Sequence, residues 1–149
     1  MNLTFEVREA TIEDAKNLAK VSAESLDLPW RAKDFTDAVA SPQALVYVAA
    51  DENGAFGYVV LYHAADEGEI PSVAVDANYR RRGAARAIVE AAFSDASQRG
   101  VRKVFLEVRQ SNAPALALYE SMGFLNVGVR KNFYSNPTED ACLMMCLIG

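Results

Sequence analysis

The chain has 149 residues, is 51% hydrophobic and carries a formal net charge of -5 from 20 acidic and 15 basic side chains. That length suits one domain, here expected over 1–149, with apolar content enough for a core without disulfide or metal staples. The acidic balance argues against bulk nucleic-acid binding, and no apolar run approaches the ~20 residues of a membrane-spanning helix.

Met1 to Glu6 has neither the basic nor the apolar region of a secretory leader, so a reduced, cytoplasmic setting is the default expectation. Phe5 and Val7 alternate with Glu6 and Arg8, the period of a half-buried strand. Thr11-Ile12-Glu13-Asp14 reads as a helix start, with Thr11 as N-cap and an acid three positions on. That helix runs to about Leu26, where Leu28-Pro29-Trp30 breaks it, and a shorter one spans Arg31 to Ala40. Ala44 to Ala50 and Ala55 to His63 are strands joined by the turn Asp51-Glu52-Asn53-Gly54. His63, the single histidine, reads as a strand-end surface residue.

Glu69 to Val75 is a further strand, and Pro71 inside it removes a ladder donor, which implies an edge, a bulge or a splayed strand. Ala85, Ile88, Val89, Ala92, Phe93 and Ala96 then mark the apolar face of a strong helix closed by Gly100. Val101 to Val108 is a strand, and Asn112 caps a helix with Pro114 in its first turn and Gly123 at its end. Phe124 to Arg130 and Ala141 to Ile148 are the last strands, separated by an irregular loop from Asn132 to Asp140. Cys142 and Cys146 share one face of the final strand and read as small buried hydrophobes, and too few ligands remain for a metal site. The order β-α-α-β-β-β-α-β-α-β-β is of the α/β class.

The chemistry concentrates in Val73-Ala74-Val75-Asp76-Ala77-Asn78-Tyr79-Arg80-Arg81-Arg82-Gly83-Ala84-Ala85, where a strand runs through a polar loop into a helix that starts on glycine and alanines. The first N–H groups of a helix lack internal acceptors and carry the positive end of its dipole. Small residues there admit a phosphate to the backbone, and Arg80, Arg81, Arg82 and Arg86 add charge. On composition alone the arginine run reads also as a solvated basic loop. The Arg-x-x-Gly-x-Ala spacing matches neither the dinucleotide fingerprint nor the nucleoside-triphosphate loop.

That spacing resembles the coenzyme loop of the GNAT superfamily of acetyl-CoA-dependent N-acetyltransferases, through Arg80, Gly83 and Ala85. The likeness extends over nearly the whole chain and is greatest to the ribosomal-protein-alanine N-acetyltransferases. It is carried by Leu28-Pro29-Trp30, by Val73 to Asp76, by Leu106 to Asn112, by Ala117 to Phe124, by Arg130 to Tyr134 and by Glu139-Asp140-Ala141. The resemblance implies the GNAT fold, a mixed sheet whose central strands splay around the pantetheine arm, and attack of an amine on the thioester in a ternary complex. Acetyl-CoA is then the co-substrate, no metal is needed, and the acceptor is a protein N-terminus, with a ribosomal protein beginning in alanine favoured. Acetylation of a small-molecule amine or a lysine, or a coenzyme-binding regulatory module, are the alternatives.

By the same resemblance Val73, Ala74 and Val75 line the coenzyme, with main-chain groups from Ala74 and Val75 and the acetyl carbonyl polarised by the Val75 N–H. Arg80, Arg81, Arg82, Gly83, Ala84, Ala85 and Arg86 cradle the pyrophosphate, and Asn112 touches the coenzyme besides capping its helix. Tyr119 donates a proton to the leaving thiolate, where its plain reading is a core aromatic. Glu107, flanked by apolar neighbours, is the general base through a water, where its plain reading is a salt-bridge residue. Trp30, Phe133 and Tyr134 wall the acceptor, each also readable as a packing aromatic. Ser72, Phe133 and Ser135-Asn136 depart from the subfamily pattern, and these departures bear on the acceptor rather than on the reaction.

Overall fold

The computed structural model describes residues 4–26 and 29–149. Its elements follow the expected order: β1 (Glu6–Glu9), α1 (Ala15–Ser25), α2 (Ala32–Ala40), β2 (Ala44–Asp51), β3 (Gly54–Ala64), β4 (Glu67–Val75), α3 (Ala84–Gln98), β5 (Lys103–Arg109), α4 (Ala113–Ser121), β6 (Leu125–Tyr134) and β7 (Glu139–Leu147). The strands form one sheet in the order β1-β2-β3-β4-β5-β7-β6. Neighbours are antiparallel except β4 and β5, which α3 joins as a crossover and which therefore run parallel.

Helices cover both faces of the first four strands. On one face α1 and α2 pack Leu18, Val21, Phe35 and Ala38 against Val48, Tyr58, Val60 and Ala74. On the other, α3 presents Ile88, Val89, Ala92 and Ala96 to Phe56, Val59, Leu61, Val104 and Leu106. Ala115, Leu116 and Tyr119 of α4, with Met122 just past its end, join that second cluster. Full burial of each large aliphatic side chain contributes about 1.5–3 kcal/mol, so both faces hold the sheet firmly.

Local signals set the element ends. Gly100 (φ +94) and Gly123 (φ +98) close α3 and α4 in the left-handed region. There Val101 N–H donates to Ala96 O and Phe124 N–H to Tyr119 O, each at 3.0 Å. The start near Thr11 is first a 3-10 turn over Ile12–Asp14 and becomes α-helical at Ala15. Asp14 accepts from Thr11 N–H at 2.8 Å and from Arg8 at 2.8 and 2.9 Å. These bonds, Arg8's foremost, hold its carboxyl below the usual aspartate range against the opposing effect of burial.

Most strand ends differ from the sequence reading by one or two residues, β5 starting at Lys103 rather than Val101 and β7 at Glu139 rather than Ala141, and two differences bear on the site. The strand holding Pro71 begins at Glu67 rather than Glu69, because parallel pairing to β5 starts there. Strand β6 continues past Arg130 to Tyr134 instead of ending in a loop. The Asp140 carboxylate accepts from Lys131 Nζ at 3.0 Å and Asn132 N–H at 2.9 Å, holding the irregular stretch against β7. The bulge expected from Pro71 is present: Val60 pairs with Ser72 but Tyr62 with Glu69, so Ile70 and Pro71 both stand opposite Leu61.

Candidate active site

The site begins where the sheet opens. The parallel ladder between β4 and β5 consists of Glu67↔Lys103, Gly68↔Val104 and Glu69↔Phe105, and ends at the Pro71 bulge. Beyond it β4 runs on beside β3 alone and β5 beside β7 alone, which leaves a wedge between the two strand ends. Asp76 N–H donates to Phe56 O at 2.8 Å, which fixes the alternation of β4. Residues 72, 74 and 76 turn their main-chain groups to β3, and Val73 and Val75 turn theirs into the wedge. The main-chain groups without a strand partner are therefore those of Val73 and Val75, whereas Ala74, expected to supply one, is engaged opposite Tyr58. Arg80 Nε donates to Val75 O at 3.2 Å, as the outward carbonyl requires.

At the open end of the wedge lies the arginine loop. Asp76 accepts from Asn78 N–H at 2.9 Å and starts a turn, Ala77–Tyr79, whose Tyr79 ring stacks on Phe56 at 4.0 Å. Arg82 lies 5.1 Å over that ring, and Arg86 donates to Ser121 Oγ at 2.6 Å, linking α3 to α4. Arg81 (φ +66) and Gly83 (φ +78) both turn left-handed, which only glycine adopts without cost. A Cβ at Gly83 would meet nothing within 4 Å, so the space above it is open to a ligand. Ala87 N–H to Gly83 O, at 3.0 Å, is the first bond of α3, so the N–H groups of Ala84, Ala85 and Arg86 have no acceptor within the helix. These residues fit a diphosphate held by main chain.

Glu107 and Tyr119 lie on opposite faces of the sheet. On β5, Val104, Leu106 and Val108 are buried toward α3 and α4, so Glu107 projects from the other face. Its Oε2 is 3.0 Å from Arg130 Nε, and its side chain is 26% exposed. Tyr119 sits among the inward residues of α4, its ring 5.6 Å from Phe124. Burial, reinforced by the nearby Tyr134 and Tyr58, pushes its phenol up to about 12. Asn112 Oδ1 accepts from Ala115 N–H at 3.2 Å, so its capping role is present.

The acceptor-side residues fall into two groups. Trp30 packs on Phe35 at 5.3 Å, and its main-chain N–H donates to Ser22 Oγ at 2.8 Å. With Asp34, Asp37, Tyr62, Glu69 and Pro71 it lines a recess of about 450 Å³ beside the β4 bulge. Leu28, named with Trp30 from the sequence, lies outside the described residues. Phe133 and Tyr134 do not line this recess; they pack edge-to-face on each other at 5.0 Å on β6, with Phe133 48% exposed. Behind them Arg109 stacks on Tyr134 at 4.5 Å and donates to Ser135 O, Pro137 O and Glu139. The sequence reading gave no individual role to Arg109, Arg130, Glu139 or the recess acids: the first three meet their partners across strands at a register that periodicity does not reveal, and Asp34 and Asp37 border the recess from α2. Ser72, noticed only as a departure, has a structural account: its hydroxyl meets the buried Tyr58 hydroxyl at 2.7 Å.

Glu139 accepts from Ser111 Oγ at 3.0 Å and Ser111 N–H at 2.7 Å, tying the β6–β7 turn to the start of α4. The Ser111 hydroxyl first, then Arg109 and the Ser111 N–H, hold its carboxyl below the ordinary glutamate value. A depressed folded pKa means that the tie is complete above the ordinary value and is lost as pH falls through the lower one. An NMR titration should move the Ser111 amide resonance with a midpoint below the ordinary glutamate range. A midpoint at or above that range would contradict the tie.

Elsewhere, His63 is half-buried with its Nε2 lacking a hydrogen-bond partner, and Cys142 and Cys146 are free and buried. Among the described residues, no group of three or more histidines, cysteines or acids is arranged to hold a metal, and no helix is long and apolar enough to cross a membrane.

A family model described as the acetyltransferase (GNAT) family matches residues 10–124. The chain is 38% identical over 121 residues to the ribosomal protein bS18-alanine N-acetyltransferase of Escherichia coli, covering 78% of this chain and 79% of that one. It is 31% identical over 153 residues to an N-alpha-acetyltransferase of Saccharolobus solfataricus, covering 94% and 91%. A crystal structure of a ribosomal-protein-alanine N-acetyltransferase from Escherichia coli matches with a TM-score of 0.88 at 29% identity, over 97% of this chain and 94% of that one.

Proposed function

The chain belongs to the acetyltransferase (GNAT) family, and on that premise we propose that it moves the acetyl group of acetyl-CoA onto the N-terminal α-amine of a protein, a ribosomal protein beginning in alanine being the favoured acceptor. It is an N-acetyltransferase with the family's fold, the mixed seven-stranded sheet described above. All of 1–149 acts as one domain. The observation that carries the reading is the continuity of the wedge, where the main-chain groups of Val73 and Val75, outside any strand ladder, lead straight to the cradle at Arg80 to Arg86.

In this reading the coenzyme's amide-bearing arm lies along β4 and its diphosphate on the N–H groups at the start of α3. The Val75 N–H donates to the thioester oxygen as it gains charge in the tetrahedral transition state. Glu107 takes a proton from the acceptor amine, through a water, on the face that Trp30 also borders. On the opposite face Tyr119 donates its O–H to the sulfur as the C–S bond breaks. Base and acid thus serve two protons without competing for one position.

The acceptor side favours an amine that arrives as a cation. Asp34, Asp37 and Glu69 border the recess with Trp30 and Tyr62, an arrangement that attracts positive charge by field and by aromatic faces. An α-amine titrates near 8 and a lysine near 10.4, a difference of ~3 kcal/mol in deprotonation work at neutral pH. One carboxylate working through water is better matched to the α-amine.

Peptides with a free N-terminal alanine should therefore be acetylated on the α-amine ahead of internal lysines, read by mass spectrometry. Trp30→Ala should raise the peptide KM and leave coenzyme affinity near wild type. Equal or faster acetylation of an N-terminally blocked, lysine-bearing peptide, or activity confined to small amines, would overturn the acceptor while leaving acetyl transfer intact.

A further inference from the structure

A general base has to point at its proton, and a glutamate on a strand face has rotatable bonds that leave its carboxylate free to swing. Register sets the surroundings of Glu107: β7 places Leu143 beside it, and β6 places Gly128 beyond Leu143. The adjacent row on the same face is Arg109, Ala141 and Arg130. Gly128 and Ala141 leave little side chain between the outer strands. Arg130 spans β7 diagonally to bring its Nε within 3.0 Å of Glu107 Oε2. Arg109, in the same row, is committed to the β6–β7 turn through Ser135 O, Pro137 O and Glu139. The Arg130 guanidinium also lies 6.0 Å over the Phe133 ring.

We propose that Arg130 is a positioning residue, which fixes the direction of the Glu107 carboxylate and couples it to the Phe133 side of the acceptor wall. The inference rests on the reading of Glu107 as general base. Stability does not account for the pair, because its arginine is 55% exposed and such exposed pairs contribute little to folding. Its value is geometric: arginine's planar fork holds a carboxylate in one orientation, which a lysine of equal charge does less well. Proton transfer through a water is steep in that geometry, since both bonds to the water must line up together.

The test uses the full chain, acetyl-CoA and an alanine-starting peptide. Arg130→Gln should lower kcat by roughly tenfold to a hundredfold, with KM for acetyl-CoA and melting temperature near wild type. Arg130→Lys should recover part of the loss. The double variant Glu107→Gln/Arg130→Gln should be no slower than Glu107→Gln alone, because the arginine acts through the glutamate. Normal turnover in Arg130→Gln, multiplying losses in the double variant, or a loss confined to peptide KM would each overturn the proposal. A slow Glu107→Gln enzyme beside a normal Arg130→Gln enzyme removes this inference alone. A Glu107→Gln enzyme of full activity removes the base reading and takes this inference with it.

Discussion

Tyr119→Phe is expected to lower kcat by roughly 10²–10³ and to leave the KM for acetyl-CoA close to wild type. Phenylalanine keeps the contact with Phe124 and the other packing of α4, so only the hydroxyl is lost. With the phenol pushed up to about 12, it stays a donor throughout the working pH range. Full transfer from such a phenol to a thiolate whose conjugate acid titrates near 8.5 is uphill by about 5 kcal/mol. The hydroxyl therefore acts chiefly as a hydrogen bond to the sulfur while charge builds there, and its proton moves late. Alkaline loss of activity from Tyr119 should accordingly be absent until the pH nears that of the phenol. Glu107→Gln should behave differently, losing most turnover near neutrality and regaining part in alkali, where the acceptor is already free. Normal turnover in Tyr119→Phe removes that residue from the mechanism.

Acetyl-CoA should stabilise the wild-type chain, and Gly83→Glu should abolish that stabilisation. Ligand at 100 times its Kd adds about 2.7 kcal/mol, which at this chain length raises Tm by roughly 5–10 °C. The substitution places a Cβ on a residue at φ +78 and a negative charge in the open space above it, at the N-terminus of α3. Gly83→Ala separates the two causes, since it strains the turn without adding charge and should weaken the shift rather than remove it. Equal shifts in wild type and Gly83→Glu would show that the diphosphate lies elsewhere.

Much of this arrangement was legible in the sequence because it is local. Pro71 announced an edge, a bulge or a splayed strand, of which the bulge is present, Gly100 and Gly123 announced helix ends, and the run from Asp76 to Ala85 announced a polar turn leading into a helix, each through chemistry confined to a few adjacent residues. What the sequence withheld depends on register. Alternation along β4 says that neighbours point opposite ways, but only the Asp76 to Phe56 hydrogen bond decides that Val73 and Val75, not Ala74, face the wedge. Arg130 and Glu107 are brought together by a third strand, β7, with which both pair their strands. The continuation of β6 past Arg130 was hidden because Asn132 adopts φ +52, and a stretch so broken has no strand period to detect.

The wedge also bears on how the protein avoids aggregation. Two strands that part inside a sheet expose edges as inviting to a foreign strand as any outer rim, and such edges promote aggregation. This molecule blunts its inner edge in three ways. Pro71 has no N–H to offer where the ladder ends, Glu69 puts a charge beside it, and the Arg80 guanidinium caps the outward carbonyl of Val75. The residues proposed to seat the coenzyme on β4 are thus also gatekeepers, and in that proposal Arg80 has to release Val75 O before any amide can pair there.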